Sequence, residues 1–288
     1  MNLPIHDAAG ALPAGAFEGK NVVVTGGGTG LGLAMSRGFA ALGARVIIPS
    51  RSPENQEAFL EEARSQGWKA AGAQVDVREP DSVRRMADSI RDEHGPVDVL
   101  VNNAAGNFVC PAERMSSNAW RAVLGIVLDG TFYCSKEFGK HMMKDGRGGS
   151  IINIIATYAW TGMPSVVHSA SAKAGVLAMS KTLAAEWARF GIRVNCVAPG
   201  PFESDGAKQN LWPSDEAEER IRTSVPLGRF AGRDEVAAQT LWLASDAARY
   251  VTGATITVDG GLSLAAGRMW EPGERLARPR REAQEGQE

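Results

Sequence analysis

Thr25-Gly-Gly-Gly-Thr-Gly-Leu-Gly32 follows directly on a short apolar run, Asn21–Thr25, and opens an amphipathic stretch, Leu31–Leu42. Glycines at such a strand–helix junction let the backbone turn sharply and approach a bound group closely. The helix start then offers free N–H groups and a partial positive charge, which suit a pyrophosphate.

Working outward, short β-branched runs alternate with helical ones. Arg45–Ile48, Ala73–Val77, Val97–Asn102, Ser150–Ile155, Ile192–Val197 and Thr255–Val258 read as further strands, with helices such as Val83–Glu93 between them. Near-continuous apolar strands separated by helical crossovers predict a mainly parallel sheet covered on both faces. No linker or repeat interrupts residues 18–264. The fold class is therefore α/β, a single doubly wound domain. Residues 1–17 read as a loose N-terminal extension and 265–288 as a C-terminal tail rich in Arg, Glu, Gly and Pro. The segment 201–225 breaks the rhythm after a strand end, where ligands bind in such sheets, and reads as a small lid. An ordinary pair of surface helices is the other reading of it.

Composition excludes several classes. The 288 residues are 44% hydrophobic and 22% charged, with a net charge of -2, so nothing favours nucleic acid or an anionic membrane. No apolar run approaches the ~20 residues that span a bilayer. Cys110, Cys134 and Cys196 are far apart, without metal-ligand spacing, and read as thiols in a reducing cytoplasm. The segment Met1–Phe17 lacks Lys and Arg, unlike a signal or transit sequence. A cytoplasmic location is the expectation, with no metal.

The spacing Gly26-x-x-x-Gly30-x-Gly32 resembles the short-chain dehydrogenase/reductase family. So do Asn102-Asn-Ala-Ala-Gly106 after the fourth strand, Asp76 at the end of the third, and Pro199-Gly200 after the sixth. The resemblance covers residues 18–264. It implies a seven-stranded sheet of order 3-2-1-4-5-6-7, a nicotinamide cofactor and a homotetramer. Its cofactor contacts fall on Gly26, Thr29, Gly30, Leu31, Gly32, Asp76, Val77, Asn103, Ala104, Lys173, Pro199, Gly200 and Phe202. At the second strand's end, where an acid would bond the ribose of NAD, stand Ser50 and Arg51. These can bond and neutralise a 2′-phosphate, which favours NADP(H). The other reading makes Arg51 a solvated loop cation, with NAD accepted as well.

The family's catalytic positions are Asn, Ser, Tyr and Lys. Here only Lys173 is in place. Val127 holds the Asn position, Ala156 the Ser position and Ser169 the Tyr position. An ordinary alcohol dehydrogenase, which needs a phenolic acid beside the alcohol oxygen, is disfavoured. Tyr158, just past the fifth strand, and Asn107-Phe108, just past the fourth, supply other groups. Together with Ser169-Ala-Ser-Ala-Lys-Ala-Gly175 they resemble a branch of the family, the mitochondrial-type NADPH-dependent 2,4-dienoyl-CoA reductases. That resemblance implies that Tyr158 and Asn107 hold a thioester carbonyl, Lys173 holds the cofactor and Ser169 supports the site. It also implies that Arg78, Phe108 and Ser116 contact the acyl-CoA. Asn210 departs from the branch, which has an Arg there for the CoA. Each residue has a plainer reading: a half-buried loop tyrosine at 158, a turn-capping Asn107, an early-helix Ser169 and a solvated Arg78. The rival functions are a trans-2-enoyl-CoA reductase of the same fold and a non-catalytic NADP-binding protein.

Overall fold

Four apolar tetrapeptides and hexapeptides run through the middle of the molecule with almost every residue buried, and they fix the layers. The structure is a computed structural model describing residues 8–203 and 214–264. Strands β1 (Asn21–Val24), β2 (Arg45–Ser50), β3 (Ala70–Gln74), β4 (Val99–Asn102), β5 (Gly149–Ile154), β6 (Ile192–Pro199) and β7 (Thr255–Val258) form one sheet in the order β3-β2-β1-β4-β5-β6-β7. Every pairing is parallel. Successive side chains point to opposite faces of a strand, so both faces carry core. Val22, Val24, Ile48, Val101 and Ile152 pack on one side under helices α1 (Gly30–Ala41), α2 (Glu54–Gln66) and α9 (Arg233–Ala244). Val23, Ile47, Leu100 and Ile151 pack on the other under α3 (Pro80–His94), α5 (Gly130–Asp145) and α7 (Val167–Trp187). Shorter helices α4 (Ser117–Leu124), α6 (Tyr158–Thr161) and α8 (Asp215–Ser224) lie between these elements in the chain.

The strand order reverses between β1 and β4, which is where a doubly wound sheet opens a crevice at its carboxyl edge. Side chains lock that edge. Asn102 and Asn153, opposite each other on β4 and β5, share a 2.8 Å hydrogen bond. Asn102 also donates to Ser135 on α5, and Asn153 to Ser180 on α7.

Two expectations are corrected. The third strand lies at Ala70–Gln74 rather than Ala73–Val77, because its ladder with β2 runs from Val46↔Ala70 to Ser50↔Gln74. Val75 and Val77 are buried but lie beyond it, packed with residues of α3, and Asp76 sits two residues past the strand end. The N-terminal segment is not loose from Ala8 onward: Phe17 is buried, edge-on to Phe39 of α1 with centroids 4.9 Å apart. Of the expected lid, residues 204–213, Asn210 among them, fall outside the described residues, as does the tail 265–288. The part from Ser214 on is helix α8, with the Ser214 hydroxyl accepting from the Ala217 N–H at 3.2 Å. Among the described residues no helix is long and apolar enough to cross a membrane, and no cluster could hold a metal ion.

Candidate active site

The glycine turn is shaped by close approach. A Cβ at Gly28 would meet the Asn55 carbonyl oxygen at 1.5 Å, and one at Gly32 would meet that of Gly26 at 2.1 Å. Gly26 and Gly30 have φ of 64° and 53°, a region that favours glycine. At Gly30 a Cβ would meet nothing within 4 Å, so the space in front of the turn is open. Thr29 caps α1 without a side-chain hydrogen bond, which leaves first-turn N–H groups for a ligand. Those are the features a pyrophosphate needs, and the residues fit a dinucleotide. Leu31 is buried in the core beneath the turn.

Neighbouring loops are bound to this turn. Asn103 Nδ2 donates to the carbonyls of Thr25 (3.0 Å) and Gly26 (3.3 Å). The Thr25 hydroxyl oxygen accepts from the N–H groups of Asn103 and Ala104. Thr25 thus clamps the crevice, a role sequence reading did not assign it; its position at the β1 end was the available signal. The Gly26 N–H reaches the Pro49 carbonyl at 3.1 Å, which brings Ser50 and exposed Arg51 beside the turn. The Ser50 hydroxyl accepts from the Ser52 N–H. On the far side of the crevice, Pro199 ends β6. Gly200 is crowded by Asp259, 2.6 Å from a built Cβ, and Phe202 bridges to Ala231.

The chemistry-bearing side chains come from three elements. In α7, Ser169, Lys173, Val176 and Ser180 recur at helical spacing, and all are buried on the face toward the sheet. Tyr158 opens α6 just beyond β5, and Asn107 lies in the loop after β4. Tyr158 Oη is 3.1 Å from Ser169 Oγ, and Asn107 Nδ2 converges on the same phenol oxygen at 3.5 Å. The Asn107 carbonyl accepts from the Phe108 N–H at 3.0 Å, so its amide N–H₂ is turned toward the tyrosine. Burial raises the Tyr158 phenol above its ordinary value, opposed by the Ser169 bond, and keeps it a proton-bearing donor. Lys173 Nζ donates to the Ile154 carbonyl. Burial lowers its ammonium to about 8, against a smaller opposing effect of Cys196.

The general family's other positions carry no chemistry here. Ala156 is buried. Val127 is buried in a π-helical turn, Gly125–Asp129, that joins α4 to α5, and its carbonyl accepts from the Thr131 hydroxyl at 2.6 Å. The two remaining acyl-CoA candidates have local duties. Arg78 forms a bidentate pair with Asp76, which holds that carboxyl below its usual range. Ser116 is the exposed N-cap of α4, accepting from the Ala119 N–H at 3.1 Å. Cys134 is buried, its thiol pushed up to about 12, and is inert.

A glycine cradle at the switch point, beside a buried lysine and a paired phenol and amide, defines a nicotinamide-dependent oxidoreductase. The chain belongs to the short-chain dehydrogenase/reductase family. Residues 26–263 match the family model described as "Enoyl-(Acyl carrier protein) reductase". Among curated proteins, the chain is similar to the "Probable 2,4-dienoyl-CoA reductase [(2E)-enoyl-CoA-producing]" of Bacillus subtilis, with 44% identity over 246 residues, 85% of this chain and 97% of that one. It is similar to the "Peroxisomal 2,4-dienoyl-CoA reductase [(3E)-enoyl-CoA-producing]" of Danio rerio, with 39% identity covering 84% of this chain and 81% of the relative. A crystal structure of a gluconate 5-dehydrogenase from Burkholderia cenocepacia, in complex with NADP and tartrate, superposes with a TM-score of 0.82 at 33% identity, covering 86% of this chain and 96% of that one.

Proposed function

We propose that this protein is an NADPH-dependent 2,4-dienoyl-CoA reductase that yields a 3-enoyl-CoA in the β-oxidation of unsaturated fatty acids. The observation that carries the reading is the contact of Asn107 Nδ2 with the Tyr158 hydroxyl, which Ser169 holds one helical turn from Lys173. When bound, the nicotinamide supplies a hydride to the δ-carbon of the dienoyl thioester. Electrons shift along the conjugated chain, and negative charge gathers on the thioester oxygen. The Tyr158 phenol and the Asn107 amide both donate toward that oxygen, as an oxyanion hole does. A proton added at the α-carbon then completes the 3-enoyl product. The reacting δ-carbon stands four bonds from the carbonyl carbon, so an acid held away from the hydride suits this reduction. Lys173 holds the nicotinamide ribose, and Ser169 fixes the phenol. Ser50 and Arg51 select the 2′-phosphate of NADP over the bare ribose of NAD. Arg78, Phe108 and Ser116 border the acyl-CoA.

The relatives' names differ in the product of dienoyl reduction, 2E against 3E, the 2-enoyl product needing the proton at the γ-carbon instead of the α-carbon. Separately, the matching family model is described as an enoyl reductase. A trans-2-enoyl-CoA reduction is therefore the second reading. Purified protein is incubated with NADPH and 2,4-hexadienoyl-CoA, the absorbance of both is followed, and the product is characterised by NMR. A 3-enoyl product supports the proposal, and a 2-enoyl product from the dienoyl substrate overturns its protonation step. Turnover of 2-enoyl-CoA to saturated product supports the second reading, and no turnover across several chain lengths of either substrate refutes both.

A further inference from the structure

His168 directly precedes Ser169 in α7, is fully buried, and neither of its ring nitrogens makes a hydrogen bond. Buried polar side chains are nearly always paired, so this ring stands out among the described residues. Burial pushes its imidazole below the ordinary value, so the ring is neutral at neutral pH; the nearby Val166 backbone opposes this without meeting hydrogen-bond geometry. What the ring does make is an aromatic contact. It stands edge-on to Phe108, with centroids 4.4 Å apart and planes at 73°, the arrangement that aromatic pairs favour.

Phe108 is not a remote residue. Its backbone N–H holds the Asn107 carbonyl at 3.0 Å, and that bond turns the Asn107 amide toward Tyr158. Two residues on, the Cys110 N–H donates to the Ser165 carbonyl at 2.8 Å. The loop after β4 is thus tied twice to the start of α7, once through backbone to Ser165 just before the helix and once through rings to His168 in its first turn. Ser165, the one non-glycine residue with positive φ among those described, has a φ of 62°, so this segment holds an uncommon shape to make the tie.

We infer that His168 is a positioning residue, an aromatic brace that holds Phe108 and through it the donor face of Asn107. Adjacent residues of one helix then set both donors: Ser169 holds the Tyr158 phenol directly, and His168 holds the Asn107 amide through Phe108. The ring serves by shape and edge contact, and its nitrogens take no part. This role rests on the function proposed above.

The test compares His168→Leu with His168→Phe. Leucine fills the space without a ring, and phenylalanine restores one. His168→Leu lowers kcat with dienoyl-CoA by about tenfold or more, since small misplacements of catalytic groups are costly, and leaves KM for NADPH unchanged. His168→Phe restores kcat to within about threefold, as volume-conserving swaps are tolerated, and raises Tm because a buried unpaired polar ring is gone. A His168→Phe as impaired as His168→Leu overturns the inference and assigns the nitrogens a polar role. A His168→Leu with unchanged kcat overturns it too. Failure of the wild-type protein to turn over any dienoyl-CoA sinks the proposed function instead. The brace is then judged by a urea-unfolding cycle of His168→Leu and Phe108→Leu, where independent effects overturn it and coupling of about threefold or more supports it.

Discussion

The hydroxyl of Tyr158 rests 3.1 Å from Ser169 Oγ. The family's usual tyrosine position is therefore occupied by a serine whose neighbour is a tyrosine from another element. On the proposed mechanism, removing the phenol removes one of two donors to the thioester oxygen. Tyr158→Phe is expected to lower kcat by about 10²–10³ while the Kd for NADPH, measured by fluorescence titration, stays unchanged. Ser169→Ala leaves the phenol present but unsteered, and a smaller loss of about tenfold is expected in the same assay.

Asn107 does two things with two atoms: its nitrogen faces Tyr158 and its oxygen holds the Phe108 N–H. Asn107→Asp retains the acceptor and loses the donor. It also brings a negative charge toward the oxygen where charge develops. Its kcat is expected to fall further than that of Asn107→Ala, which loses about 10²–10³. Equal losses in steady-state kinetics would show that the donor alone is not what Asn107 supplies.

Lys173 gives a pH dependence. Burial lowers its pKa from 10.5 unfolded to about 8 folded. Between these values the unfolded chain binds more protons, so stability from this group rises with pH over that window and is lost as pH falls through about 8. The span is worth about 3 kcal/mol at most. Urea unfolding of the cofactor-free protein from pH 7.5 to pH 10 measures it, against Lys173→Met, where the rise is absent. Activity runs the other way. In the proposed role of Lys173 the charged ammonium is the form that binds the ribose, so kcat/KM is expected to decline above about pH 8, with the limb moved upward once cofactor phosphates are bound.

Arg51 stands beside the glycine turn with its side chain exposed. Arg51→Ala removes the proposed charge-assisted contact to a 2′-phosphate, worth about 1.5–3 kcal/mol. The ratio of kcat/KM for NADPH over NADH is expected to drop by about 10- to 100-fold. An unchanged ratio would make Arg51 a solvated cation.

At Gly28 the space itself is the constraint, since an added Cβ meets the Asn55 carbonyl at 1.5 Å. Gly28→Ala forces the turn away from α2. Loss of NADPH binding, seen by titration, is expected with far-UV circular dichroism preserved.

Much of this was legible because it depends on local order. The glycine turn, β7 at Thr255–Val258 and the placement of Tyr158 past β5 follow from spacing along the chain. β3 did not, because Ala70-Ala-Gly-Ala-Gln74 has little strand preference and takes its place from pairing with β2. The two valines after it, Val75 and Val77, mimic strand alternation while packing with residues of α3. The local partners of Arg78 and Ser116, the Asp76 carboxylate and the first turn of α4, are likewise seen only in the folded chain. His168 was illegible for another reason: its significance lies in ring nitrogens that meet no hydrogen-bond partner, and only the folded chain displays that.

The Asn102–Asn153–Ser180 chain of hydrogen bonds has a consequence for motion. Asn153 is fully buried and joins β4, β5 and α7 through its single amide. Sliding α7 along the sheet would strand that amide without partners, which is costly inside a protein. The helix that carries Ser169 and Lys173 is thereby keyed to the sheet like a shaft to its hub. Its backbone amides should be among the last to exchange with deuterium, opening only when the whole domain unfolds. Catalytic adjustment is then left to the loops that carry Asn107 and Tyr158.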